Sequence, residues 1–103
     1  MNTVKLTLNG KKYTKTAPTV EDWLFNLSIT DKIESKNVLA DTSAAQATLE
    51  VVARYLKVSV EDIMAYGDLQ EVMEAYNAIQ KNLLLAFAKA TEIWEKNVEA
   101  PAP

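Results

Sequence analysis

The spacing of hydrophobic and polar positions changes along the chain, and each change predicts an element. Val4, Leu6 and Leu8 alternate with Thr3, Lys5 and Thr7, the period-two pattern of a half-buried strand. Asn9-Gly10 follows, and both residues tolerate the positive φ of a type I′ turn. A two-residue turn pairs Leu8 with Lys11, Leu6 with Tyr13 and Lys5 with Thr14. Tyr13 then joins Val4, Leu6 and Leu8 on one face of a hairpin expected over residues 3–16. A lone hairpin is not stable in water, so that face must rest on helices.

Pro18 ends the strand and Thr19 caps a helix, with Glu21 and Asp22 at the positive end of its dipole. Val20, Trp23, Leu24 and Leu27 share one face of this helix. Phe25 points elsewhere, as a second packing contact or an exposed anchor. Periodicity fades over residues 28–42, which read as a loop with one short helical turn around Ile33. A second helix is expected from Thr42 or Ser43 to about Lys57. Its stripe is Leu49, Val52 and Leu56, broadened by Ala45, Val51 and Tyr55.

Ser59 with Glu61 and Asp62 opens a short helix through Met64 that Gly67 can end. Asp68 and Glu71 form a capping box for the longest element, from Leu69 to Asn97, about 43 Å at 1.5 Å per residue. Leu69, Val72, Met73, Tyr76, Leu83, Phe87, Ala90 and Trp94 cluster on its predicted core face, flanked by Ile79 and Ala86. Leu84 and Leu85 carry apolar surface around the side, so residues 83–88 are expected to be covered on more than one side. The cover is either the domain's own core or another chain. Residues 98–103, ending Pro-Ala-Pro, are expected to form a disordered tail. The pattern therefore predicts a mainly α fold: a single helical domain over residues 1–97 with a short N-terminal β-hairpin packed against it.

Composition then narrows the chemistry. The 103 residues include no cysteine and no histidine, which removes disulfides, thiolate metal sites and the imidazole base. Gly10 and Gly67 are the only glycines, so no glycine-rich phosphate loop exists. Glu21-Asp22 and Glu61-Asp62 sit in first helical turns, where dipole and capping account for them. No enzyme activity, cofactor or metal is expected. The N-terminus shows no signal-peptide pattern and no apolar run reaches membrane-spanning length, so a cytoplasmic, non-membrane protein is expected.

Charge is unevenly placed. Residues 1–20 hold four of the 11 bases and none of the 14 acids, so +4 there stands against −7 over residues 21–103. Four lysines without arginine or a stacking platform argue against nucleic acid, and a solvated lysine face blunting a sheet edge explains them better. The stretch ATLEVVARYLKVSVEDIMA, residues 47–65, resembles a segment of phage-repressor helix-turn-helix domains in its spacing of Val52, Leu56, Val58 and Ile63. The second helix of that stretch is acidic and apolar where DNA docking needs a basic, polar one. A small phage-type DNA-binding regulator is nevertheless the alternative reading.

The order of three further segments carries a second resemblance. VKLTLNGKKY, then TVEDWL at a helix start, then VSVEDIMAYGDLQEV before a long helix, together resemble the tail assembly chaperones of long-tailed phages and prophages. The likeness spans most of residues 3–90. It implies a small, acidic, largely helical, non-enzymatic protein that holds the hydrophobic tape measure protein while tail tube subunits polymerise around it. The tail tube protein is a second candidate partner. It also implies residence in the host bacterial cytoplasm, absence from the mature virion, and no catalytic residues to carry over. Members of the family are often made in two lengths by a ribosomal slip, for which Glu95-Lys96-Asn97 could be encoded as an adenine run. Partner binding is expected at Phe25, Leu84, Leu85, Phe87 and Trp94, and the apolar belt of residues 83–88 points to a homo-oligomer.

Overall fold

The computed structural model describes residues 1–34, 36–38 and 40–99, and side chains as far as Glu92. Strands β1 (Val4–Leu8) and β2 (Lys11–Lys15) form an antiparallel hairpin. Leu8 pairs with Lys11, Leu6 with Tyr13 and Lys5 with Thr14, the register that the alternation and Asn9-Gly10 dictate. Asn9 at φ 50° and Gly10 at φ 80° give the left-handed turn. Val4, Leu6 and Leu8 are buried, and the lysines and threonines between them face water.

Four helices follow: α1 (Val20–Ile29), α2 (Thr42–Leu56), α3 (Val60–Tyr66) and α4 (Leu69–Glu99). The fold is mainly α, with the hairpin packed on the helices. Its core joins Val4, Leu6 and Leu8 to Val51, Val52, Tyr55 and Leu56 of α2, Ile63 of α3, and Val72, Ala75, Ile79 and Leu83 of α4. Each buried Leu, Ile or Val contributes about 1.5–3 kcal/mol relative to exposure, so the three strand residues anchor the hairpin strongly. The predicted packing of Val52, Leu56, Val58 and Ile63 across the α2–α3 turn is present, with Lys57 in the left-handed conformation (φ 57°) between the helices. The Val58 N–H donates to the Ala53 carbonyl at 3.0 Å, closing α2 as a left-handed C-terminal cap does.

Several expectations are corrected. The segment read as a loop from residue 28 stays helical through Ile29, while the short helical turn expected around Ile33 is present as a 3-10 turn, Thr30–Lys32, with Ile33 at its C-terminal cap. The second helix starts at Thr42 as expected, and Asp41 caps it, accepting from the Ala44 N–H at 2.9 Å. Leu49 is only half-buried, because α2 presents Ala44, Ala47, Thr48 and Val51 inward instead. Gly67 ends α3 from an extended backbone, not a left-handed one; a Cβ there would lie 2.5 Å from the Ile63 carbonyl oxygen. The Asp68–Glu71 box is half-formed: Asp68 accepts from the Glu71 N–H at 2.9 Å, while the Glu71 carboxylate turns to the Thr7 N–H on β1. Glu71 thereby covers a strand edge that would otherwise be open.

The core face of α4 is also rotated from the predicted one. Val72, Ala75, Ile79, Asn82 and Leu83 are buried, whereas Leu69, Phe87 and Ala90 are exposed. The helix extends to Glu99, two residues past the expected domain end, and the rest of the predicted tail, residues 100–103, lies outside the described residues.

Candidate partner-binding groove

The placement of α1 decides what surface this protein offers. Its N-terminus carries a complete capping box: the Thr19 hydroxyl accepts from the Asp22 N–H at 3.2 Å, and Asp22 Oδ2 accepts from the Thr19 N–H at 2.8 Å. The same Asp22 oxygen takes a 2.6 Å ion pair from Lys15 Nζ on β2. Lys15 in turn lies 4.7 Å from the centre of the Tyr55 ring, a cation–π contact that holds the ammonium between α1 and α2. Further along α1, Asn26 Oδ1 accepts from Gln80 Nε2 of α4 at 2.8 Å. Phe25 packs on the core with the Arg54 guanidinium 4.4 Å above its ring. The side of α1 bearing Asp22, Phe25, Asn26 and Ile29 is thus the attached side.

Because one turn advances about 3.6 residues, the opposite side is the apolar one. Val20, Trp23, Leu24 and Leu27, whose spacing reads as a core stripe, are all exposed, Val20 at 69% and Trp23 at 42%. The ends of α1 run antiparallel to α4, with Asn26 at Gln80 and Val20–Trp23 beside the later turns. Between them lies a groove of ≈ 350 Å³ lined by Val20, Trp23, Leu83, Ala86, Phe87 and Ala90, with Pro18 and Thr19 at its end. Its walls are almost wholly apolar. A larger cleft of ≈ 840 Å³ on the other side of α1 is mixed in charge; there Lys15 pairs with Asp22, and Arg54 lies 3.5 Å from Glu21.

A buried polar cluster fixes the frame behind the groove. Asn82 is fully buried: its Nδ2 donates to the carbonyls of Asn2 (2.7 Å) and Thr16 (2.8 Å), and its Oδ1 accepts from the Asn2 N–H (2.8 Å). The Tyr55 hydroxyl donates to the same Thr16 carbonyl at 2.6 Å. Both ends of the hairpin are therefore tied to α4, and one end to α2. Burial raises the pKa of Tyr55 above the ordinary phenol value; the Asn82 contact partly offsets this and the Asp22 charge adds to it. Burial also raises the pKa of Tyr76. The sequence contains no pattern that marks Asn82, because its role depends on two chain ends brought together from distant positions.

Of the residues expected to bind a partner, Leu84, Leu85 and Phe87 are exposed and only Phe87 lines the groove. Phe25 is half-buried beneath Arg54 and lines the charged cleft instead. Trp94 lies in α4 beyond the described side chains. Val20 and Trp23, absent from that expectation, form the opposite wall; their apolar spacing alone is indistinguishable from a core stripe. On α3, Glu61 and Asp62 are exposed, so the helix in the recognition position of the helix-turn-helix likeness presents acids. Among the described residues, no group of three His, Cys, Asp or Glu side chains could hold a metal ion, and no helix is long and apolar enough to cross a membrane.

Fold and surface together define a mainly α protein with an N-terminal hairpin and an apolar groove between its first and last helices. No family model, curated protein or solved structure matches the chain.

Proposed function

We propose that this protein is a non-enzymatic tail assembly chaperone of a long-tailed phage or prophage, holding an apolar helical stretch of the tape measure protein in the host cytoplasm. The observation that carries the reading is the exposed apolar surface shared by α1 and α4: Val20, Trp23, Leu24, Leu27, Leu84 and Phe87. Exposed apolar surface of this extent on an acidic protein marks an interaction site, and a groove between two helices suits the apolar side of a third. A long tape measure helix, aggregation-prone while bare, supplies such a side. The tail tube protein is the second candidate partner, and absence from the mature virion follows from a role confined to assembly.

Co-expression with a phage tape measure protein is the direct test. The expected result is a soluble complex that Trp23→Ser and Phe87→Ser weaken while both variants remain folded. Insoluble tape measure protein in the presence of the folded wild-type chain would count against the reading. A small DNA-binding regulator, the alternative, would instead retard duplex DNA on a gel at moderate salt, and the wild-type chain is expected not to.

A further inference from the structure

A second surface lies on the far side of α4 from the core. Lys81, Leu85, Ala88 and Glu92 recur at the 4-3-4 spacing of a helical seam, and all four are exposed. At 100° per residue this seam sits about 170° around the helix from Val72, Ile79 and Leu83, so nothing packed on the core blocks it. It is also well clear of the groove, which opens beside Leu83, Ala86 and Phe87.

We infer that this seam is the contact between two copies of the chain, α4 against α4 in antiparallel sense about a two-fold axis. Charge selects the partner and the register. With the axis passing midway between residues 86 and 87, Lys81 faces the partner's Glu92 and Glu92 faces the partner's Lys81. Leu85 then meets the partner's Ala88, a large side chain against a small one, twice by symmetry. A parallel pairing sets Lys81 against Lys81 and Glu92 against Glu92. An antiparallel pairing centred on Leu85 brings Lys81 level with the partner's Lys89. Of these three arrangements only the first joins opposite charges on both sides of the Leu85–Ala88 centre, and it covers Leu85 and Ala88, the part of the apolar belt that faces away from the groove.

The contact is short. Residues 81–92 span about 18 Å of helix, so the dimer is weak. Because the groove remains open in it, the dimer does not depend on the tail-chaperone reading, and either can fail alone.

Sedimentation velocity on the full chain over a concentration series tests the pairing. The wild type is expected to shift from monomer to dimer, and Leu85→Glu to remain monomeric. Lys81→Glu and Glu92→Lys should each weaken the dimer about tenfold, since each reversal sets like charges together at two symmetric places. The decisive experiment mixes these two variants: the heterodimer restores opposite charges at both ends, so the mixture should dimerise about as tightly as wild type. The double variant Lys81→Glu/Glu92→Lys should recover as well. Circular dichroism confirms that each exposed substitution leaves the fold intact. A chain that stays monomeric through the series overturns the inference. So does a dimer indifferent to both reversals, or a mixture no tighter than its components.

Discussion

Two stretches of α4 with similar apolar content have opposite surroundings. From Val72 to Leu83 the helix lies in the core, with Val72, Ala75, Ile79 and Leu83 against the hairpin, α2 and α3. From Leu84 to Phe87 the large apolar side chains are exposed: Leu84 is 70% and Phe87 57% exposed. The boundary is Asn82. Its hydrogen bonds to Asn2 and Thr16 mark where the two ends of the hairpin meet α4, and past that point no strand among the described residues covers the helix. Hydrophobicity therefore does not by itself say which residues are core. The reach of the elements that could cover them decides it, and the uncovered remainder is surface available to partners.

The contrast can be broken most directly by truncation on each side of that boundary. Leu6→Ala, at a fully buried strand position, should cost about 2–5 kcal/mol. Leu84→Ala and Trp23→Ala should each stay within about 0.5 kcal/mol. Urea melts read by circular dichroism measure all three, and equal costs on both sides would remove the distinction. Asn82→Ala tests the boundary itself. It strands the Asn2 amide and leaves the Asn2 carbonyl without its donor, for an expected loss of about 1–3 kcal/mol. Amide exchange should speed up in β1 and β2 more than in α3.

Tyr55 gives a pH signature confined to the latched side. Its folded pKa is raised above the ordinary 10.0, so the native state holds the proton more tightly than the unfolded chain. Stability from this group is complete below the unfolded value and declines as pH rises past about 10 through the folded value. Urea midpoints across that range should fall, and fall less in Tyr55→Phe, with half-buried Tyr76 supplying the remaining slope. The smallest effect is expected at Lys5→Ala, on the solvent face of the hairpin, within about 0.5 kcal/mol. A larger loss there would mean that the lysine face does more than keep the strands soluble.

Local chemistry alone determined much of this protein. The hairpin register follows from alternation plus Asn9-Gly10, because a two-residue turn leaves one pairing that keeps Val4, Leu6 and Leu8 together. Helix starts at Thr19, Ser59 and Asp68 follow from side chains that satisfy amide groups within three residues. Tertiary structure decided which face of each helix is inside. On α1 the apolar stripe Val20, Trp23, Leu24 and Leu27 gave the wrong side, because Ile29 and Phe25 pack on the core from the other side, where Asp22 and Asn26 also find a lysine and a glutamine on other elements. On α4 the buried line passes through Asn82, which is acceptable in the core only because Asn2 and Thr16, far away in sequence, satisfy its amide. The groove is the product of those two choices. Periodicity reports that a helix has an apolar side, but the partners of its buried polar groups come from elsewhere in the chain, and they set the direction in which that side points.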